Sequence, residues 1–589
     1  MIASAKQRGG PCSLKPVPDN PPCPPDPPPP FPWIYVWLTA SFMAAVGTIL
    51  SLLLFSLLSP TGRPRNKRKR PYHDMDLPPC VQYLIVGTGA AGWAAYRSIM
   101  QHDKTAKVFF VTKEDCLPYR RIPLSKWMWW NKEPPDLKNL NYVVEGRRTT
   151  NFMDPVKFYR KKTGPAVSIA SGWCVLRVDP DEHVVYIKTM CGEQPMYYER
   201  CLLAPGAYQK QIEAFKNAPK AVRKKVTTLR TIRDLEIAFR KVREAKHVTI
   251  IGGGFMGCEL AWYLGKMNKV VEREPVDAPP IEFTHIVKEK GVLSDIIPEY
   301  LGEWAAEKIK CETVTLKPKT QVYDAFVTKD NRLELTLSDG SSLVTDYVLV
   351  AVGASPREEI APPSFLELDS INGGIKVNTE LEARTHLYVA GDAASVFSQW
   401  KDYRMRFEHY ENAEEQGYVA GANMTGFWTP WNKEPHYDLK LGKTLQVYVM
   451  LRPSCNRYIV LFQVVGEVGA CMPTIALFKN CFEDPNMTQS QKDAEGQEEN
   501  TPCYKQPDDY KNKYKRGLLF YLRDETVVGM LFWNIPPMED QIQVCTELLR
   551  AKPSYEDINL LAELVGFHNA QCIYVTPEEL IEPGPCIKK

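Results

Sequence analysis

Two glycine patterns carry the clearest chemistry in this chain. Gly87-Thr88-Gly89-Ala90-Ala91-Gly92 follows the apolar run Val81–Val86 and precedes a helical stretch over Trp93–Met100. Gly252-Gly253-Gly254-Phe255-Met256-Gly257 follows His247–Ile251 and precedes a second helical stretch, Cys258–Gly265. Between a strand and a helix, each pattern predicts a pyrophosphate cradle. The first glycine permits the tight turn, the second lets the backbone approach the phosphates, and the third lets helix and strand pack closely, with the helix N-terminus facing the anion. A carboxylate after the next strand completes such a unit by hydrogen-bonding a ribose. Glu114 follows Lys107–Thr112, 27 residues beyond Gly87, and Glu289 follows Phe283–Val287, 37 residues beyond Gly252. Both intervals exceed the usual ~20 residues. The proline-containing stretch Glu272–Pro280 predicts an inserted loop that lengthens the second.

Three more strand ends complete an ordered set. Leu202-Leu203-Ala204-Pro205-Gly206 lies between the two cradles and Val350-Ala351-Val352-Gly353 follows the second. Leu387-Tyr388-Val389-Ala390-Gly391-Asp392 reads as a strand ending in Gly-Asp at the start of a helix, with the Asp392 carboxylate placed to bind a ribityl hydroxyl. Two cradles imply two dinucleotides, and the simplest pair is FAD with NAD(H) or NADP(H).

The elements that must position these residues fit within 589 residues, enough for several domains. A composition of 44% hydrophobic and 24% charged residues is that of a globular protein, and a net charge of +3 argues against a nucleic-acid-binding surface over the whole molecule. The 16 cysteines contain no C-x-x-C pair, which leaves zinc ribbons and thioredoxin-type redox pairs without support. They read as small buried apolar residues, and no metal site is expected. The expected fold class is α/β: an FAD-binding Rossmann domain over 79–211 and 353–427, an NAD-binding Rossmann domain inserted at 212–352, and an α+β C-terminal domain over 428–589. Residues 483–513 are polar and poor in apolar side chains, and read as a mobile loop.

The N-terminal residues read differently. Residues 1–30 are Pro-rich, which favours polyproline II over a packed core. No charged residue occurs from Phe31 to Pro60, and Ile34–Leu58 exceeds the ~20 apolar residues that a transmembrane helix needs. Trp33, Tyr35 and Trp37 sit at one end as interfacial anchors, and a basic linker, 61–78, carries the run Arg63–Arg70. The chain therefore reads as single-span and membrane-anchored, and the positive-inside rule places the basic side in the cytoplasm or matrix.

The order of the five strand ends resembles the two-dinucleotide-binding-domain flavoproteins, the glutathione-reductase-like family, in which the NAD domain is inserted into the FAD domain. The paired redox cysteines of the disulfide reductases are missing after Gly92 and within the second unit, so electrons must leave the flavin directly. Leu117-Pro118-Tyr119-Arg120-Arg121-Ile122-Pro123-Leu124-Ser125-Lys126, Ile250–Ala261, Ile297–Leu301, Glu408-His409, Asn423–Gly426, Leu519–Asp524 and Trp533-Asn534-Ile535 are similar to segments of the apoptosis-inducing factor family. The resemblance covers about residues 80 to 540, and its last two blocks lie outside the motifs of the wider family. It implies that Arg121, Lys126, Val175, Arg230 and Asp392 contact FAD and that His409 lies at the isoalloxazine. It implies a Lys126–Glu259 ion pair beside the flavin, either favouring reduced flavin or serving structure. Phe255 would cover the nicotinamide face, and Gly253, Gly254, Glu289, Gly353, Glu408 and Asn534 would bind the nicotinamide dinucleotide.

Asp295, Tyr410 and Gln463 depart from that family's lysine, histidine and glutamate, and the tryptophan-bearing block is unrecognisable over Phe427–Phe462. The resemblance also implies a mitochondrial protein of the inner membrane and intermembrane space, opposite to the orientation that the basic run favours. It implies redox-dependent homodimerisation, an import oxidoreductase of the intermembrane space as partner, and a role in respiratory-chain maintenance. After release to the cytosol and nucleus it implies non-specific DNA binding and apoptosis. The alternative is an NADH-dependent reductase of the ferredoxin or monodehydroascorbate type.

Overall fold

The computed structural model describes residues 77–135, 140–144, 147–154, 166–189, 192–271, 279–310, 314–398, 403–431, 436–441, 460–479, 514, 516–535, 540–567 and 571–573. The Pro-rich segment, the span expected over Ile34–Leu58, the basic run and the polar segment 483–513 lie outside them. Among the described residues no helix is long and apolar enough to cross a membrane.

The first glycine pattern joins β1 (Cys80–Val86) to α1 (Ala90–His102), and β2 (Lys107–Thr112) follows. Leu84 and Ile85, on opposite faces of β1, are both fully buried, as a parallel strand covered on both sides requires. β1 pairs in parallel with β2, which pairs with β3 (Ala166–Ser171). On its other side β1 pairs in parallel with β4 (Gly192–Leu203).

The chain then builds a second sheet. It contains β5 (Val226–Thr228), α2 (Ile232–Glu244), β6 (His247–Ile251), α3 (Phe255–Val270), β7 (Glu282–Ile286), α4 (Glu299–Lys310), β8 (Val314–Lys317) and β9 (Tyr347–Val350). The strands run parallel in the order β5-β9-β6-β7-β8. α2 starts at a capping box in which Thr231 and Asp234 satisfy each other's backbone N–H. The chain returns through β10 (Leu387–Val389), which pairs in parallel with β4 of the first sheet. The two crossing points pair with one another, Ala207–Gln209 against Ala354–Pro356.

After Gly391-Asp392 comes a strand, Ala394–Ser398, where the sequence predicts a helix. Its β-branched and aromatic residues, Val396 and Phe397, suit the three-stranded sheet it forms with Ile375–Val377 and Tyr403–Met405. The helix that covers this region is α5 (Tyr410–Met424). It lies against α1 at contact distance: a Cβ on Gly417 would stand 2.1 Å from the Ala91 carbonyl oxygen, and one on Gly421 2.4 Å from that of Ala95.

A six-stranded antiparallel sheet follows. Its strands are β11 (His436–Leu441), β12 (Val460–Gly466), β13 (Thr474–Lys479), β14 (Arg516–Arg523), β15 (Thr526–Trp533) and β16 (Gln571–Ile573), in the order β11-β12-β15-β14-β13-β16. α6 (Gln541–Arg550) and α7 (Ile558–Leu564) cover one face through Leu518, Phe520, Met530, Phe532, Cys545 and Leu561. The alternate residues Leu519, Tyr521, Leu531 and Trp533 join the core of the second sheet instead, as the two-residue period of a strand dictates. Trp304 of α4 meets Trp533 edge to face at 5.6 Å, and the Tyr521 hydroxyl donates to the Ile296 carbonyl at 2.8 Å. The second unit is thereby braced from the C-terminal side.

Cys201, Cys258 and Cys545 are buried and free, and burial pushes the Cys545 thiol up to about 12. Cys471 departs from the expected role of the cysteines, being disulfide-bonded.

Candidate functional site between two glycine-rich turns

Both glycine-rich turns open into one cavity of about 1900 Å³. Its walls include Gly87, Gly89, Ala90, Ala91, Glu114, Arg121, Lys126, Val175, Arg230, Asp392, Glu408 and His409, together with Gly252, Gly253, Gly254, Phe255, Met256, Glu289 and Gly353. Gly92 and Gly257 lie behind these walls. Asn534 is not among the lining residues; it is buried with φ of +52°, and its side-chain oxygen accepts from Leu461 N at 2.9 Å while its own N–H donates to Leu461 O at 2.6 Å. That pair of bonds locks β12 to the end of β15.

The turns explain their own sequence. Gly87 has φ of +111° and Gly252 of +124°, a region L side chains rarely adopt, and a Cβ on either would stand 2.2 Å from a carbonyl oxygen, Ala204 or Ala351. At Gly92 and Gly257 a Cβ would stand 2.2 Å and 1.8 Å from the carbonyl oxygens of Gly87 and Gly252. Only glycine lets these helices sit so close to their strands. At Gly89 and Gly254 a Cβ would meet nothing within 4 Å: these positions face open cavity at the first turn of α1 and α3, where unpaired backbone N–H groups favour an anion. The residues present therefore fit two pyrophosphates.

Around the first turn the charged groups are paired. The Glu114 carboxylate makes an ion pair with Arg121 and accepts from the Tyr119 hydroxyl at 2.6 Å. Burial opposes its ionisation, but the Arg121 charge, the Tyr119 and Arg121 hydrogen bonds and Arg230 outweigh that and hold it below its ordinary value. Arg121 also donates to the Arg230 carbonyl at 2.8 Å, and Arg230 pairs with Asp392 at 2.6 Å. A second buried pair links Lys126 to Glu259, whose other oxygen accepts from the Ser125 hydroxyl. Phe255, the first residue of α3, meets the His409 ring edge to face at 5.0 Å and lies 5.8 Å from Phe462. His409 is the N-cap residue of α5. Glu408 pairs with Arg406 at 2.6 Å.

Under the second turn lies a residue that motif reading missed. His285 is fully buried on β7, with Nε2 2.8 Å from the Gly252 carbonyl oxygen, and burial pushes its pKa down to about 4. A neutral imidazole donating there would fix the turn. Ser125 and Tyr119 were also missed as participants, although both lie in the segment 117–126 that carries the resemblance. Asp295 lines the cavity, and its carbonyl accepts from Ala470 N at 3.4 Å.

Chemically, one chamber bordered by both turns could hold two dinucleotides, with the Phe255 ring and the Lys126 ammonium on its wall. Among the described residues Cys174 alone of the cysteines lines the cavity, so no dithiol relay is offered there. Comparison with known proteins agrees with this geometry. The pyridine nucleotide-disulphide oxidoreductase family matches residues 81–417. The chain belongs to that family. The C-terminal domain named for mitochondrion-associated apoptosis-inducing factor matches residues 420–550. A Drosophila melanogaster protein named as a mitochondrial apoptosis-inducing factor 1 is 30% identical over 527 residues, covering 85% of this chain and 67% of that one. The Dictyostelium discoideum mitochondrial apoptosis-inducing factor 1 is 29% identical over 503 residues, covering 82% and 81%. Putidaredoxin reductase, solved in covalent complex with putidaredoxin, shares the fold with a TM-score of 0.59 at 19% identity, covering 80% of this chain and 93% of that one. The chain is thus an NAD(P)H-dependent oxidoreductase that uses FAD, a flavoprotein like apoptosis-inducing factor.

Proposed function

We propose that this chain oxidises NADH at the cavity shared by the two glycine-rich turns and passes the electrons from FAD directly to an external acceptor. The observation that carries this reading is the single chamber walled by both turns, with Phe255 and His409 between them. Bound NADH supplies a hydride and bound FAD accepts it. The rest of the work falls to the chain. The first turn, with Gly89, Ala90 and Ala91, holds the FAD pyrophosphate, and Glu114 holds a ribose while Arg121 and Arg230 keep carboxylates in place. Val175 and Asp392 bound the flavin end. Lys126, fixed by Glu259 and Ser125, presents a positive charge that favours the electron-rich reduced state. Phe255 shields the nicotinamide face and yields to NADH, and His409 backs the ring. Gly253, Gly254, Met256, Gly353 and Glu408 enclose the nicotinamide dinucleotide. Glu289 accepts a hydrogen bond from its ribose and repels a 2′-phosphate, favouring NADH over NADPH.

The biological setting of the reading is mitochondrial, because both relatives reported above are named so. In it the chain is anchored by Ile34–Leu58 in the inner membrane with the flavin domain in the intermembrane space, dimerises when reduced, and serves respiratory-chain maintenance with an import oxidoreductase as partner. Release to the cytosol and nucleus, DNA binding and cell death belong to the same resemblance. Stopped-flow reduction of the holoprotein by NADH and NADPH, with ferredoxin and quinone acceptors compared, tests the chemistry. Rapid reduction by NADPH alone contradicts it, and turnover confined to ferredoxin favours the ferredoxin-reductase alternative.

A further inference from the structure

We infer that His285 is a positioning residue: from beneath the second glycine-rich turn it holds the Gly252 peptide in the form that receives the nicotinamide dinucleotide, and so sets the affinity for it. This rests on the function proposed above, and the experiment below separates the two.

The two turns can be compared position by position, because each docks on its next strand through the same bond. Gly87 N donates to the Val111 carbonyl at 2.9 Å, and Gly252 N donates to the Ile286 carbonyl at 3.0 Å. Val111 on β2 therefore corresponds to Ile286 on β7, Thr112 to Val287 and Phe110 to His285. The middle residue of the first turn is Thr88, whose buried hydroxyl donates to the Thr112 hydroxyl at 3.3 Å. The middle residue of the second turn is Gly253, which packs on Val287 so closely that a Cβ would stand 2.6 Å from Val287 Cγ1. The side-chain tie of the first turn thus has no counterpart at the matching positions of the second. Three successive glycines, Gly252 to Gly254, also have the most backbone freedom to lose when the turn is fixed.

The tie reappears two residues earlier on the strand. Where β2 has the apolar Phe110, β7 has His285, and both are fully buried. Nε2 of His285 stands 2.8 Å from the Gly252 carbonyl oxygen. A carbonyl can only accept, so Nε2 carries the proton, and Nδ1, buried without a hydrogen-bond partner among the described residues, does not. The next carbonyl, that of Gly253, accepts from Leu293 N at 2.7 Å and from the Cys258 thiol at 3.4 Å. Both successive carbonyls are held, the first by His285. The Gly252 carbonyl and the Gly253 N–H belong to one peptide group. A donor on that carbonyl fixes the plane of the group and polarises it, which strengthens the N–H as a donor in turn. Gly253 lines the cavity and precedes Gly254, the N-cap of α3, where an anion is favoured. His285 does not line the cavity, so it acts through the turn.

The test is anaerobic stopped-flow reduction of the full-length holoprotein over a range of NADH concentrations, which separates the Kd for NADH from the limiting rate of flavin reduction. His285→Phe copies Phe110 of the first unit and removes the donor; His285→Met does so with a more flexible side chain; His285→Gln keeps an N–H. Loss of one hydrogen bond in the turn should raise the Kd about tenfold in the Phe and Met variants, with flavin content and limiting rate at parental values, and the Gln variant should recover most of the affinity. An unchanged Kd in a flavin-loaded Phe or Met variant overturns the inference and leaves the proposed function standing. So does an equal rise in all three variants, which assigns the effect to packing rather than to the donor. Loss of flavin from both Phe and Met variants makes His285 a folding requirement and overturns a role in nucleotide affinity. A parent whose flavin NADH does not reduce overturns the inference together with the function on which it rests.

Discussion

Gly87 and Gly252 turn with nearly the same φ, +111° and +124°, and each approaches the carbonyl of a returning strand at the same 2.2 Å for a hypothetical Cβ. The acidic residues beside them have different surroundings. Glu114 is tied to Arg121 and Tyr119, and Arg121 reaches on to Arg230, itself paired with Asp392, so four segments hold one another. Glu289 makes no ion pair among the described residues; its backbone carbonyl accepts from Lys319 at 2.9 Å. A cradle already assembled by its own charges suits a cofactor that stays. One whose carboxylate is uncommitted suits a cofactor that comes and goes each turnover, since ordering that group is deferred to binding.

The most severe break in this comparison is Gly87→Ala. A left-handed alanine costs ~1–2 kcal/mol before the clash with Ala204 O is counted, so purified protein should carry no flavin. Gly252→Ala should retain flavin absorbance and lose reduction by NADH; loss of flavin from both variants would erase the distinction between the units. Next in size is Glu259→Ala. It leaves the Lys126 ammonium buried without its carboxylate, at a cost of ~3–5 kcal/mol, read as a lowered midpoint in denaturant with the flavin absorbance shifted. Glu259→Gln, which keeps the Ser125 contact, should recover part of the stability.

Glu289→Ala sharpens the contrast more gently. Removing one ribose acceptor should raise KM for NADH and improve the NADPH to NADH ratio of kcat/KM about tenfold, near ~1.4 kcal/mol, with kcat and flavin content unchanged. The smallest effect is acid dependence. Glu114 has its folded pKa below the ordinary 4.5, so its ionised form stabilises the fold fully above that value, and the contribution is lost as pH falls through the lower folded pKa. Arg121→Gln should therefore differ most from the parent above pH 4.5, and the difference in unfolding free energy should shrink in stronger acid. A difference that grew on acidification would reverse the sign of the interaction.

What could be read from sequence follows the range of each contact. The glycine turns were legible because their constraints lie within one strand–turn–helix unit; the inserted loop read over Glu272–Pro280 lies largely outside the described residues, and α3 runs on to Val270 before it. Arg230 with Asp392 and Ser125 with Glu259 join residues 162 and 134 positions apart. No local periodicity announces such pairs, and the resemblance supplied Arg230, Asp392 and Glu259 without their partners' geometry. The helix expected after Asp392 failed because the apolar run there has strand composition and a neighbouring edge to join. Asn534 was carried over as a nicotinamide contact, yet a left-handed turn and two bonds to Leu461 give it a structural task that no motif reveals. The close packing of α5 on α1 was present in the sequence as Gly417 and Gly421, four residues apart, opposite Ala91 and Ala95.

Anaerobic titration of the purified holoprotein with NADH tests the central claim most directly. The account predicts that the flavin absorbance is bleached at one NADH per bound FAD, in the parent and with a higher NADH requirement in Glu289→Ala. Flavin that remains oxidised under excess NADH, in protein shown to be folded, would contradict it.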